Sequence, residues 1–244
     1  MNRLHHNPDY IHHQKKTVAS SLIREIVFGM EDGMVSTLGA VTGIATAIGN
    51  HYTVLLSGFV IIAVESISMG IGSYLSNKSE QEIDQRKLFE EKTELHEFPE
   101  EEREELINMY IEDGWPKKLA TDMAGVASKN KKLFLQEMAY RELEIIPHKA
   151  DYPFKNGLVM FVSYVVGGSV PLLPYILFPI SRAIPISIAC TLVGLFLLGV
   201  YTTQYTKRRW WKAGLEMLLL ASAAASVGYL VGQLVEILFG VRIS

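Results

Sequence analysis

Acidic side chains stand in this sequence at places where apolar ones are expected. Glu31 and Asp32, followed by Gly33, interrupt an otherwise apolar stretch, FGMEDGMVSTLGAVTG, at residues 28–43. A carboxylate within hydrocarbon costs about 2.5–3.5 kcal/mol, so it is kept where it faces protein groups or a water-filled path. Its ordinary alternative is a place near the interface, reaching for headgroups. Glu65 and Met69 form the second group, four residues apart in the middle of another apolar run. That spacing puts a carboxylate and a thioether one turn apart on one helix face. Oxygen with sulfur is a mixed hard and soft donor set, which suits first-row transition metals better than magnesium or calcium. Ser66, Ser68, Gly70, Gly72 and Ser73 around them let a neighbouring helix come close.

The third group is larger. Residues Glu90–Glu105 hold nine carboxylates against Lys92 and Arg103. Such runs are usually solvated charged faces. Here Glu91 and Glu94 stand at i, i+3, as do Glu102 and Glu105, on two predicted helices joined at Phe98-Pro99. Facing helices with such pairs can converge four carboxylates on a cation. Further on, Met138 and Glu142 repeat the thioether and carboxylate at i, i+4. His5, His6, His12 and His13 lie in a polar tail and are weak metal candidates, as are His96 and His148 beside the acidic helices. Met109 reads as core of the insert, Glu216 as structural, close to Lys212 and the interface, and Glu236 as a residue near the far interface.

Other chemistries lack their residues. There is no Gly-x-Ser-x-Gly, no phosphate-cradling glycine loop with a lysine and no His-x-x-x-His helix. Energy would then come from an ion gradient, and intramembrane carboxylates are the groups that carry protons in gradient-driven transport. A net charge of −3 gives no basic field for nucleic acid. The single cysteine, Cys190, excludes an internal disulfide and a multi-cysteine zinc site.

The elements that position these groups follow from where the charge lies. Residues 77–150 hold 18 of the 26 acidic and 12 of the 23 basic residues. Five remaining apolar segments have the length of a membrane-crossing helix: about Ile26–Ile48, Thr53–Leu75, Phe154–Phe178, Ile184–Thr203 and Ala213–Phe239. The sequence thus predicts an all-α membrane protein with five transmembrane helices and a helical insert between the second and third. Its parts are a tail (1–25), two spans (26–76), the insert (77–152) and three spans (153–244). No cleavable signal peptide is expected, because the first 25 residues are polar. Arg3, Lys15, Lys16 and Arg24, with Lys207, Arg208, Arg209 and Lys212 before the last span, place the N-terminus and the insert in the cytoplasm. Within the insert, Pro99 with Glu100–Glu102 starts a helix that Asp113-Gly114 ends. Pro116 opens a second helix, to about Ser128, and a third runs from about Lys131 to before Pro147.

Taken together, FGMEDGMVSTLGAVTG (28–43), SMGIGSYLS (68–76), EEKTELHEFPEEEREEL (90–106), EMAYREL (137–143), GGSVPLLPY (167–175) and KAGLEMLLL (212–220) resemble the vacuolar iron transporter family. The resemblance covers nearly the whole chain after the tail. It implies a homodimer whose ion path is lined by the first spans, a cytoplasmic insert that collects ferrous iron, and exchange of metal for protons. It implies Asp32 and Met69 as path ligands, and Glu91, Glu94, Glu102, Glu105, Met138 and Glu142 as ligands in the insert. This chain departs from the family pattern at Gly72-Ser73, where many relatives have Gly-Glu, and at Met138-Ala139, where many have two methionines. Glu31 beside Asp32 is also less usual. Glu65 is taken as the replacement for the carboxylate missing at Ser73.

The expected activity is proton-coupled export of Fe²⁺, with Mn²⁺, Co²⁺ or Zn²⁺ as further cargo, through Asp32, Glu65 and Met69. The expected partners are membrane lipid, protons and a second copy of the chain. No prosthetic group, enzymatic activity or nucleic-acid partner is expected. The membrane would be the cell membrane in a prokaryote or a vacuole-type membrane in a eukaryote. The alternative is a membrane-anchored metal sensor or buffer, against which Glu65 argues, since an anchor needs no acid at mid-span. A metal oxidase lacks the paired Glu-x-x-His motifs of di-iron bundles.

Overall fold

A computed structural model describes residues 17–145, 152–219 and 222, and all regular structure among them is helical. The helices are α1 (Thr17–Ile48), α2 (His51–Glu97), α3 (Pro99–Glu112), α4 (Lys117–Ala127), α5 (Lys131–Arg141), α6 (Pro153–Leu177) and α7 (Ile180–Thr206). Residues 210–219 are helical again. The N-terminal histidines, His148, Glu236 and most of the predicted fifth span lie outside the described residues. Among the described residues three helices, α2, α6 and α7, are long and apolar enough to cross a membrane. At 32 residues α1 is long enough, but Glu31, Asp32 and many small residues make it less apolar.

The chain divides into two compact units, residues 1–74 with 153–244, and residues 75–152. Local sequence sets the breaks. Gly49, in the left-handed region at φ 65°, ends α1 with its N–H on Ala45 O at 3.2 Å. Asn50 then caps α2, its side-chain oxygen accepting from Thr53 N at 3.0 Å. From there α2 runs unbroken for 47 residues. α1 also begins earlier than the apolar pattern alone predicts, at Thr17 rather than Ile26.

In the first unit α1 packs on α6 through glycine. A Cβ added at Gly33 would stand 2.5 Å from Tyr164 O and 2.8 Å from Gly168 N. One added at Gly167 would collide with the Met30 carbonyl oxygen. Backbone meets backbone here, the usual way for helices to associate closely in a bilayer. α2 meets α6 in the same manner, at Gly70 and Gly157. Val41, Val54, Ile62, Leu172 and Tyr175 fill one core cluster, and Met34, Leu195 and Leu198 another.

In the second unit Pro99 takes the first-turn position of α3, followed by Glu100, Glu101 and Glu102. Gly114, at φ 94°, closes that helix. Asn130 caps α5, accepting from Lys132 N at 3.1 Å and Leu133 N at 3.2 Å. Alanines at 120, 124 and 127 make one face of α4 small enough to seat beneath Leu106, Tyr110, Phe134 and Met138. α5 stops at Arg141, short of the predicted run to Pro147. Ile145 N turns back to Ala139 O at 2.8 Å, and Glu144 adopts a left-handed backbone.

Candidate functional site

Two groups of acids are assembled, one in each unit. In the first unit the sequence spacing carries over directly. Glu25, Asp32 and Ser36 lie seven and four residues apart, so they share a stripe of α1. Asp32 is half-buried and within electrostatic reach of Glu65 on α2. Tyr164 of α6, fully buried, joins them: its hydroxyl donates to Glu65 Oε2 at 2.9 Å. With that proton committed, Ser36 Oγ donates to the phenolic oxygen at 2.6 Å. One tyrosine therefore ties α1, α2 and α6 together at the level of the acids. Glu65 is exposed on a single chain, and Met69 is half-buried one turn further along α2. Glu31 is half-buried beside Asp32.

Glu25 is a residue that the sequence reading missed, because it fell at the edge of the polar tail. It is 3% exposed. Its Oε2 accepts from Ser73 Oγ at 2.8 Å, and its Oε1 pairs with Arg24 at 3.0 Å. A buried carboxylate thus stands against Ser73, the position where the resemblance noted above implies an acid. The clue lay in the i, i+7 relation between Glu25 and Asp32. No local signal points to Tyr164, which is 99 residues from Glu65 in sequence.

In the second unit, Glu91 of α2, Glu102 of α3 and Glu142 after α5 bring carboxylate oxygens within 4.8 Å of one another. Glu91 is 1% exposed and Glu102 8%. Glu91 Oε1 and Glu102 Oε2 are buried without a hydrogen-bond partner among the described residues. Buried acceptors with nothing to accept from are costly, unless a cation or a proton completes them. Burial, then the Glu142 carboxylate, push the Glu91 carboxyl up to about 8. Burial, then Glu105, raise Glu102 to about 7. Glu105 is raised too, first by burial and then by Glu142 and Glu94. Glu94 and Glu105 are exposed, on the same turns as Glu91 and Glu102, so all five acids act on one small volume. Met138 is fully buried within the Leu106, Tyr110 and Phe134 cluster, one turn before Glu142.

A polar clamp holds Glu142 in place. Tyr110 donates its hydroxyl to Glu137 Oε2 at 3.0 Å. Arg141 donates to the same oxygen at 3.2 Å and to Asp113, and its guanidinium lies 4.3 Å over the Tyr110 ring. The residue before Glu142 is therefore locked to α3, the helix of Glu102. Convergent carboxylates with unpaired buried oxygens can hold a divalent cation, in competition with protons.

Comparison with known proteins finds relatives over nearly the whole chain. The chain is 26% identical over 226 residues to "Vacuolar iron transporter 1" of Arabidopsis thaliana, covering 92% of this chain and 90% of that protein. It is 28% identical over 242 residues to "Vacuolar iron transporter" of Plasmodium berghei (95% and 88% covered). With the protein of the same name from Toxoplasma gondii it shares 29% over 236 residues (93% and 78% covered). The model of the VIT family matches residues 23–233, from before Glu25 to beyond the last described helix, and the chain belongs to that family.

Proposed function

We propose that this protein exports divalent first-row metal ions, Fe²⁺ foremost, from the cytoplasm across a vacuole-type membrane in exchange for protons. The observation that carries this reading is the convergence of Glu91, Glu102 and Glu142, with two buried oxygens unpartnered. The family consists of transporters rather than enzymes, and the relatives are named for iron. In this reading the insert is cytoplasmic and captures the ion with Glu91, Glu94, Glu102, Glu105 and Glu142, Met138 supplying a soft donor. Asp32, Glu65 and Met69 then pass it along a path through five spans, with Glu25 at an earlier step on the same stripe of α1. Mn²⁺, Co²⁺ and Zn²⁺ fit the same donors.

A second copy of the chain is part of this reading. Glu65 is exposed at mid-span on a single chain, beside exposed Val60, Val64, Ile67 and Ile71. An acid facing lipid there is costly, and a partner's α1 and α2 would cover it. Protons compete for the same carboxylates, which supports exchange.

The test is metal uptake into proteoliposomes, with Fe²⁺ or Mn²⁺ outside and the interior acidic. Gradient-dependent uptake is expected for the parent, with strong loss in Asp32→Ala and Met69→Ala. Unchanged rates in both variants would refute the path. Binding without gradient-dependent flux would favour a membrane-anchored buffer instead.

A further inference from the structure

A second cavity of the insert has the opposite character from the acid cluster. It has a volume of about 490 Å³ and lies among α2, α3 and α5. Its floor is apolar, around Phe134, and its walls carry Lys92, His96, Arg103, Lys131 and Lys132. One acid is present, Glu100, and it pairs with Arg103 at 3.1 Å. Among the described residues the lining thus holds four formal positive charges against one negative. The surrounding sequence is the reverse, with 18 acids to 12 bases over residues 77–150.

Two features mark this concentration of charge as incomplete. Lys131 and Lys132 occupy the first turn of α5. That end of a helix is the positive end of its dipole and disfavours cations. Asn130 already satisfies the N–H groups of Lys132 and Leu133, so an anion here would meet the exposed lysine side chains rather than the helix end. Arg103 Nε is buried with no hydrogen-bond partner among the described residues, although its terminal nitrogen meets Glu100. An unfilled donor on a guanidinium, beside three ammonium groups, is a cradle for a multiply charged oxyanion.

The space decides the class of anion. Small-ligand sites run to roughly 300–1,000 Å³, far more than a bare phosphate fills. The apolar floor suits an organic body. We propose that this cavity binds a phosphate ester, its phosphate groups held by Lys92, Arg103, Lys131 and Lys132 and its body lying over Phe134. The ester is either a soluble organophosphate or the headgroup of a phosphorylated lipid. The cavity shares no lining residue with the Glu91, Glu102 and Glu142 cluster, and the proposal stands whether or not the transport reading does.

The experiment is titration calorimetry on the full-length protein in neutral detergent, with a chelator and no inorganic phosphate. The probes are inositol trisphosphate and the short-chain lipid that bears the same headgroup. Binding of one probe per chain is expected, weakened about tenfold or more when Lys131→Gln and Lys132→Gln are combined. Lys92→Gln is a second, independent variant with the same expected direction. Circular dichroism and retained Mn²⁺ binding check that each variant is folded. Equal affinity for the two probes assigns a soluble ester, and binding of the lipid alone assigns a headgroup. The proposal is overturned if neither probe binds, or if the lysine variants bind as the parent does. It is equally overturned if Lys117→Gln with Lys118→Gln, in the first turn of α4 outside the cavity, weakens binding as much, since that marks unspecific attraction.

Discussion

Proton concentration should control metal loading of the insert, and the size of the effect follows from two residues. Glu91 holds its proton up to about pH 8 and Glu102 to about pH 7, burial being the first cause in each case. At pH 6 these two groups together carry about 1.9 protons, and at pH 8 about 0.6. A metal ion that needs both carboxylates ionised must displace them. The fraction of protein with both ionised falls by more than about tenfold from pH 8 to pH 6, and the affinity falls with it. The assay is calorimetric titration of Mn²⁺ at both pH values, in buffers of different ionisation heat, which counts the protons released. Glu91→Gln should bind more weakly and release about one proton fewer at pH 6. An affinity that changes less than fivefold between these pH values would falsify this account. So would the same proton release from Glu91→Gln as from the parent.

The empty insert should show the opposite dependence. Carboxyls raised on folding stabilise the fold fully below about pH 4.5, and that stability is lost as pH rises through 7 to 8. A chelator should therefore lower the insert's melting temperature at pH 8 and leave it unchanged at pH 5, as read by circular dichroism. Tyr164→Phe removes the donor to Glu65 and the acceptor of Ser36. Hydrogen bonds to charged groups are worth about 1.5–3 kcal/mol, so proteoliposome flux should drop about tenfold or more; normal flux in this variant would show that Glu65 needs no support from α6. Gly33→Ala forces a Cβ to 2.5 Å from the Tyr164 carbonyl and should cost about 1–3 kcal/mol. Its thermal unfolding in detergent measures this, and an unshifted melting curve would contradict the close contact. Leu106→Ala empties the fully buried centre of the insert and should cost about 2–5 kcal/mol, measured as a lowered insert melting temperature; a loss below 1 kcal/mol would mean that the cluster collapses around the gap.

What the sequence made legible was what repeats along one helix. The pairs Glu91 with Glu94 and Glu102 with Glu105 show in their spacing, and Pro99 with its three following acids marks the turn between them. Long apolar runs give α6 nearly to the residue, and α7 apart from a turn at each end, where it reaches Ile180 and Thr206. Contacts between distant helices left no such trace. Tyr164 reads as one more amphipathic aromatic in an apolar run until α6 sets it against Glu65 and Ser36. Glu25 looks like an interfacial charge until Ser73 is seen to donate to it. Met138 stands one turn before Glu142, and spacing alone does not reveal that its side chain also packs in the core cluster with Leu106, Tyr110 and Phe134. The reach of α1 back to Thr17 is hidden for a related reason: its first turns carry too few apolar residues to announce themselves.

The backbone contact between α1 and α6 limits how the first unit can move. Gly33 and Gly167 are the points at which the main chains touch. A slide of α1 by one turn would carry the Met30 backbone from Gly167 to Ser163 or to Pro171, and both have the Cβ that this contact forbids. The two helices are therefore geared, with Asp32 fixed in height against Tyr164. Any change that opens Asp32 first to one side of the membrane and then to the other must rock α1 and α6 together as one body, with the sliding surfaces elsewhere.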